Sequence, residues 1–450
     1  MDLNKKKFEV FTRGDLPSIQ HVVNILATFS QWSGLNANLE KAEAYLGGVP
    51  SNIKAQILAV VGIHEGRFPF RYLGLPIHSS RLTTEMFDGL LLKIQMLAGQ
   101  FSTKHLSYAG RIQVLNSAVF GLCNFWCTGL LLPKQIIKGI VKLSRDLFWG
   151  KNDGTKRIIF KSWQSICLPW EEGGFQIKDI GKWNQPIMLK WLWCLDHGRG
   201  AIWNLWTSNY LTNQCTIWTL TAKEYYSDCI RVIIQVRNEC ISKFGSLQAA
   251  EGVLEQCLVN HKFSLRKAYD ALRESSIVMP VYKAISRGTM VPRHRVTLMM
   301  VVQQKLPTVD QLMGKGRILI NRCCLCKQDS ECASHMFFSC DYYTDVLSSI
   351  KHWINLNTPC TDLESLLLWA NSRHKKKHWK HKWVRCSLGC LVSSLWTERN
   401  LRIFEGKERS TNQLVKEIQL IVSTLILNTV NDAVYTEVVV ALNERPVFVD

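Results

Sequence analysis

Four residues in the C-terminal half of the chain have the types and spacing of a zinc site. Cys323 and Cys326 form a C-x2-C pair, and His335 and Cys340 follow as H-x4-C. Three thiolates and one imidazole suit tetrahedral Zn²⁺, which takes sulfur and nitrogen donors. Four protein ligands leave no position for a reacting water, so the sequence predicts a structural zinc and not a catalytic one.

Two further thiols leave the ligand set open. Cys324 and Cys332 lie in the same stretch of the chain, and either could replace a predicted ligand. In the alternative interpretation, all of these are ordinary buried cysteines of a chain that has 16. Because no apolar signal segment follows Met1, we expect reduced thiols and an intracellular protein, nuclear or cytoplasmic.

The charge balance predicts a polyanionic partner. Lysine and arginine number 55 against 36 acidic residues, a net charge of +19. Nucleic acid is the first expectation, and an anionic membrane surface is the rival. The densest basic run spans 373–382, where a solvated face is the simpler alternative and His374, His378 and His381 weakly suggest a second metal site. The candidate phosphate contacts in this run are Lys375, Lys376, Lys377, Lys380 and Lys382.

The elements that would position these residues are mainly helical. Apolar periodicity and capping residues predict helices over 15–32, 86–101, 106–115, 134–149, 361–370, 378–404 and 411–432. A short strand near 42–46 and an extended stretch over 68–77 add a small β component. The predicted fold class is therefore α+β and predominantly α-helical.

Two apolar regions allow alternative interpretations. The stretch 115–132 has no charged residue but includes asparagine, serine, threonine and glycine. These residues favour a buried helix with a turn over a membrane span. Residues 157–210 interleave aromatic and basic residues, which suits either base stacking or, more commonly, a protein core.

Several motifs occur in an order that identifies a family resemblance. Phe11-Thr12-Arg13-Gly14-Asp15 and Arg71-Tyr72-Leu73-Gly74-Leu75-Pro76-Ile77 lie near the N-terminus. Further motifs follow at 106–113, 148–150, 172–175, 263–273, 306–308 and 395–400, with the Cys/His stretch among them. Together they resemble the C-terminal part of plant LINE-type, non-LTR retrotransposon reverse transcriptases, namely the palm end, the thumb and the zinc-binding domain.

The resemblance implies an organisation and a partner. It implies a palm remnant over 1–79, a thumb with a Trp-rich helical extension over 80–210 and a linker or adaptor over 211–258. A zinc-binding domain over 259–350 and a basic helical C-terminal region over 351–450 follow. The implied partner is RNA or an RNA–DNA duplex, with Arg71 and Tyr72 near the primer backbone and Arg111 on phosphates. No small-molecule substrate or membrane is implied.

One departure from the family pattern bears on catalysis. In register, the two aspartates of the family's catalytic motif fall on Lys6 and Lys7. Nucleotidyl transfer needs carboxylates to hold two Mg²⁺ ions, and ammonium groups cannot do so. We therefore expect a truncated, catalytically inactive nucleic-acid-binding remnant. The alternatives are an enzyme subunit or nuclease, with Asp362 and Glu364 as the acidic pair, or a non-catalytic interaction scaffold that uses the 157–210 surface.

Overall fold

The computed structural model describes most of the chain, and every structural statement below concerns the residues it describes. They are residues 14–78, 83–101, 106–150, 159–197, 216–224, 226–286, 290–314, 320–358, 362–373, 379–430 and 432–443. The chain divides into two compact units, Met1–Asp88 and Gly89–Asp450. The predicted boundary after residue 79 lies close to this division, and the predicted boundaries inside the second unit stay predictions.

The N-terminal unit combines short strands with two helices. They are α1 (Leu16–Ser33), β1 (Glu43–Ala44), α2 (Ser51–Val61), β2 (His64–Glu65), β3 (Phe70–Tyr72) and β4 (Leu75–Ile77). Strands β1 and β2 pair in parallel, and β3 and β4 form an antiparallel hairpin. The predicted helix over 15–32 and the strand near 42–46 are therefore present, and the β component is small.

Local chemistry sets the limits of α1. The backbone N–H of Ser18 donates to Asp15 Oδ1 at 2.9 Å, and Gly34 ends the helix with a φ of 69°. An oxygen at the N-cap and a glycine in the left-handed region satisfy the free backbone groups at the two helix ends. None of the residues of α1, all of which are described, is buried.

The C-terminal unit is almost entirely helical. Its elements are α3 (Asp88–Gln100, which begins at the boundary), α4 (Tyr108–Val114), α5 (Phe120–Gly129), α6 (Lys134–Trp149), α7 (Trp163–Cys167), α8 (Ile180–Asp196), α9 (Asp228–Phe244), α10 (Leu247–Gln256), β5 (Leu258–Val259), β6 (Lys262–Phe263), α11 (Leu265–Leu272), α12 (Pro280–Ser286), α13 (Pro292–Val302), α14 (Val309–Met313), α15 (Asp341–Trp353), α16 (Leu363–Arg373), α17 (Trp379–Glu405), α18 (Thr411–Leu427) and α19 (Asp432–Asn443). The predicted fold class is confirmed.

The Trp-rich region contributes to the core of this unit. Trp163, Trp183 and Trp193 are buried, and Trp183 Nε1 donates to Asn124 Oδ1 at 2.8 Å. Burial accounts for these rings without a bound base, as the core interpretation expects. Within the predicted linker or adaptor over 211–258, α9 buries Ile230, Ile233 and further apolar residues and packs against α8. The linker or adaptor assignment itself stays a prediction.

Helix α17 runs through the core and is buried along most of its length. It packs against α13, α16 and α18. A Cβ on Gly389 would lie 2.7 Å from Met290 Sδ, so a larger residue there would have to displace the Met290 side chain. The C-terminal half of α17 carries the side chains that hold the Cys/His loop.

None of the helices in the described residues combines the length and the apolar character that crossing a bilayer requires.

Candidate metal centre

A tight loop positions the first two sulfurs. The Lys327 N–H donates to the Cys323 carbonyl at 2.9 Å, and the Cys323 N–H donates to the Asp329 carbonyl at 2.7 Å. Lys327 has a φ of 60°, in the left-handed region that reverses the chain direction. The reversal allows Cys323 and Cys326 to contribute their sulfurs to one site.

A single π-helical turn, His335–Ser339, positions the other two groups. The Cys340 N–H donates to the His335 carbonyl at 2.9 Å, which closes a five-residue turn. Cys340 is also the N-cap residue of α15. Wide turns of this kind are frequent at functional sites. The turn brings the imidazole and the last thiol to the same place.

The four predicted ligand atoms lie within 4.8 Å of one another. Cys326 Sγ is 3.3 Å from His335 Nε2. Zinc–sulfur bonds of about 2.3 Å in a tetrahedron require ligand atoms about 3.8 Å apart. The spacing of the four atoms, their chemistry and the burial of Cys323, His335 and Cys340 therefore fit a zinc ion.

Neighbouring groups set the orientation and the protonation of the ligands. His335 Nδ1 lies 3.4 Å from Ser339 Oγ and 3.6 Å from Asp329 Oδ2, so Nε2 is the nitrogen that faces the sulfurs. Partners of this kind fix the tautomer of a metal-binding histidine. A hydrogen bond between the sulfurs raises the pKa of Cys323 and lowers that of Cys340.

The two additional thiols lie outside this set. Cys332 Sγ accepts the His335 N–H at 3.3 Å and so caps the start of the π-helical turn. Cys324 Sγ lies 3.8 Å from the Arg399 carbonyl, and burial raises the pKa of its thiol to about 11. These contacts favour Cys323, Cys326, His335 and Cys340 over any set that includes Cys324 or Cys332.

A buried ion pair ties the loop to α17. The side chains of Glu331 and Arg399 are 0% and 4% exposed, and Arg399 Nη2 donates to Glu331 Oε1 at 2.7 Å. The same carboxylate oxygen accepts the Val309 N–H at 2.9 Å, which caps the start of α14. One buried carboxylate therefore joins the Cys/His loop, α14 and α17.

A second buried carboxylate strengthens this connection. Glu398 accepts hydrogen bonds from Arg402 Nε at 2.7 Å and from Arg409 Nε at 2.7 Å. Arg402 Nη1 in turn donates to the Cys324 and Leu325 carbonyls at 3.1 and 3.0 Å. Burial raises the pKa of Glu398, but the hydrogen bonds from Arg409 and Arg402 outweigh it and hold that pKa below its usual range.

Sequence reasoning identified the four residues that the fold brings together but missed these supporting residues. The motif at 395–400 carried part of the resemblance, yet no role followed for Glu398 or Arg399. The spacing of Glu398 and Arg402, four residues apart on a predicted helix, was the signal that could have indicated an ion pair. Nothing local in the sequence connects Glu331 to Arg399, because 68 positions separate them.

Comparison with known proteins agrees with this site. Residues 263–346 match the family model described as zinc-binding in reverse transcriptase. This segment is related to the zinc-binding region of reverse transcriptases. A putative ribonuclease H protein of Arabidopsis thaliana is 24% identical over 131 residues, 29% of this chain. The match spans only 21% of that plant protein. Residues 263–346, which hold the Cys/His cluster, are thus similar to the zinc-binding segment of reverse transcriptases.

Arg71 and Tyr72 lie in the β3–β4 hairpin of the N-terminal unit. Arg71 is exposed, and its Nη1 is 3.5 Å from the Gly74 carbonyl oxygen. Tyr72 is half-buried. The exposed guanidinium remains accessible to a phosphate, and the predicted primer contact stays a prediction.

Arg111 has an internal position in the fold. Its Nη1 donates to the Phe148 carbonyl at 2.7 Å and its Nε to the Leu106 carbonyl at 3.1 Å. The guanidinium also lies over the Tyr108 ring, 5.1 Å from the centroid. These contacts join the start of α4 to the end of α6. The predicted phosphate contact of Arg111 stays a prediction, although the guanidinium already donates to two backbone carbonyls.

The basic run at 373–382 is only partly described. Lys375, Lys376, Lys377, His374 and His378 lie outside the described residues. Lys380 is exposed, with its Nζ 5.5 Å from the Trp379 ring centroid, whereas Lys382 Nζ donates to the Thr429 carbonyl at 3.1 Å. His381 is buried in α17. Among the lysines of the run that the structure describes, Lys380 is the exposed one.

The acidic pair proposed for a nuclease has a structural explanation. Asp362 Oδ1 accepts the Ser365 N–H at 2.8 Å, the contact of a helix N-cap at the start of α16. The hydrogen bonds from Ser365 lower the pKa of the Asp362 carboxyl. Within the described residues, the one cluster of potential metal ligands is the Cys/His cluster. Asp362 and Glu364 therefore have no third ligand there.

Proposed function

We propose that this chain is a nucleic-acid-binding protein of LINE-type retroelement origin, built around a structural zinc and without polymerase activity of its own. The observation that carries the proposal is the closed Cys₃His set inside the segment that matches the reverse transcriptase zinc-binding family. Cys323, Cys326, His335 and Cys340 would hold the ion.

Zinc would act on stability and not on a reaction. Four protein ligands leave no open coordination position, and a structural zinc contributes directly to folding free energy. Through Glu331–Arg399 and Glu398–Arg402, the ion would order the loop against α17. Cys323, Cys326, His335 and Cys340 would bind the ion, and Ser339 and Asp329 would orient the imidazole.

The expected partner is RNA or an RNA–DNA duplex. The net charge of +19 supports a polyanionic ligand. Phosphate contacts from lysine and arginine give affinity that falls with salt and depends little on sequence. A nuclear or cytoplasmic location is part of the same proposal.

The proposed absence of polymerase activity rests on the alignment of this sequence with the family's catalytic motif. Lys6 and Lys7 occupy the positions where the family's metal-binding aspartates would fall. Both residues lie outside the described part of the chain. An ammonium group repels Mg²⁺ where a carboxylate would bind it.

Binding and activity can be tested together on the full chain. Fluorescence anisotropy with a structured RNA and an RNA–DNA duplex, across a salt series, should give submicromolar binding that weakens steeply with salt. A zinc chelator should weaken that binding, and a primer-extension assay should show no incorporation. The absence of binding at low salt would contradict the partner, and primer extension dependent on this chain would contradict the inactivity.

A further inference from the structure

Helix α6 presents a basic stripe that no part of the site described above uses. Its exposed positions include Lys134, Lys138, Lys142 and Arg145. At about 100° per residue, these four side chains fall within an arc of about 80°. Along the axis they extend over about 16 Å, with neighbours about 5–6 Å apart. We refer to these four residues as the α6 stripe.

The opposite face of α6 holds the helix in place. Ile136, Ile140 and Leu147 are buried, and the helix packs against α4 and α8. A Cβ on Gly139 would lie 3.3 Å from Leu91 Cδ2, so α3 approaches closely on one side. The four cations are therefore displayed on a fixed scaffold, which lowers the entropy cost of binding an extended ligand.

The charges of the stripe are not used within the described structure. There, none of the four side chains makes a hydrogen bond or an ion pair. Asp146, the single acidic residue in the sequence of α6, is half-buried and lies about 40° beyond Lys142 on the helix. By contrast, the Arg237 guanidinium is used inside the fold, because it donates to the Ile217 and Leu220 carbonyls.

We propose that the α6 stripe is a docking track for the sugar–phosphate backbone of an RNA strand, contacted without regard to sequence. The proposal rests on the proposed function and names the surface that carries it. The separation of the cations is comparable with that of successive phosphates along a strand. Membrane-surface helices insert an apolar face into lipid, whereas the apolar face of α6 is occupied by the core. A hydrated polyanion is the ligand that fits.

The test compares two variants with equal loss of charge. The stripe variant carries K134Q, K138Q, K142Q and R145Q. The control carries K190Q, K262Q, R266Q and R293Q, four exposed cations on α8, β6, α11 and α13. Binding of the full-length wild type and both variants to a single-stranded RNA is measured from low to high salt. Thermal unfolding checks that both variants fold, which we expect because all eight positions are exposed.

The expected result is a loss confined to the stripe variant. Four lost phosphate contacts should reduce the slope of log K against log salt by about 3, and the control should change it by less than about 1. Equal slopes for both variants, with wild-type binding intact, would overturn the track and leave the proposed function standing. If the wild type does not bind RNA, both the track and the proposed function are wrong. The same proteins are also tested for binding to phosphatidylserine vesicles. A stripe variant that loses vesicle binding but retains RNA binding would overturn the track in favour of a membrane surface.

Discussion

Helices α6 and α17 both carry several cations, yet they use them in opposite ways. On α17, Arg399 and Arg402 are buried and paired with Glu331 and Glu398. On α6, the four cations of the stripe are exposed and unpaired within the described residues. The difference shows that a count of positive charge does not locate a binding surface. Only charges that the fold leaves in solvent are available to a polyanion.

The largest expected effect comes from removing the metal site that α17 supports. C340S should destabilise the C-terminal unit by several kcal/mol, because zinc binding contributes on the order of 10 kcal/mol in small zinc domains. Urea unfolding followed by circular dichroism measures the loss. C332S is the matched control, since Cys332 lies outside the ligand set, and a loss as large as that of C340S would contradict this assignment.

The buried charge pairs of α17 should come next. E398Q leaves Arg402 without its paired carboxylate and leaves Arg409 with Glu417 as its remaining partner. Breaking one partner of a buried pair costs about 3–5 kcal/mol. The control is E417Q, whose carboxylate side chain is 41% exposed and whose loss should cost about 1 kcal/mol or less. Equal unfolding free energies for the two variants would show that the buried pair has no special role.

A third ion pair gives a pH-dependent contrast away from the metal. Glu172 accepts hydrogen bonds from Arg273 Nη1 at 2.8 Å and from the Ser276 N–H at 2.8 Å. Burial raises the pKa of Glu172, but the bonds from Arg273 and Ser276 prevail and lower it. Its stabilisation is therefore present above the carboxyl's ordinary pKa and is lost as the pH falls through the lowered value.

The matching variant is E172Q, which should lose about 2 kcal/mol at neutral pH. The difference in unfolding free energy between wild type and E172Q should shrink as the solution is acidified below the ordinary glutamate pKa. A difference that stays constant between pH 7 and pH 3 would contradict the ionised pair. Chemical denaturation at each pH provides the measurement.

Arg111 should give the smallest effect and separates packing from binding. R111Q removes hydrogen bonds to two carbonyls and should cost about 1–2 kcal/mol of stability. Because its guanidinium is engaged inside the fold, the salt slope of RNA binding should not change. If R111Q reduces the salt slope of RNA binding by about 0.7, the value for one lost phosphate contact, Arg111 does contact a phosphate as the family resemblance implied.

The sequence predicted the site well wherever the signal was local. The C-x2-C and H-x4-C spacings identified four residues that the fold brings together, because a local turn determines each pair. Helix limits with strong caps, such as Asp15 and Gly34 of α1, were also predictable. The supporting network was not, since Glu331 and Arg399 are far apart in the chain and only the packing of α17 joins them.

Burial explains the remaining differences. The weak periodicity of 211–258 predicted a linker or adaptor, and it did not indicate that Ile230 and Ile233 of α9 would be buried. The density of positive charge predicted phosphate contacts over 373–382, although Lys382 donates to a backbone carbonyl and His381 is buried. Net charge along the sequence does not reveal which side chains face solvent. The four-residue spacing of Lys134, Lys138 and Lys142 was the local signal that could have indicated a basic helix face.

The most direct test of the central claim is the zinc content of the purified full-length chain, measured by native mass spectrometry. One zinc ion per chain, lost in the C323S/C340S variant and retained in C324S/C332S, is the predicted result. A wild-type chain that binds no zinc would contradict the account. So would zinc that persists in C323S/C340S and disappears in C324S/C332S.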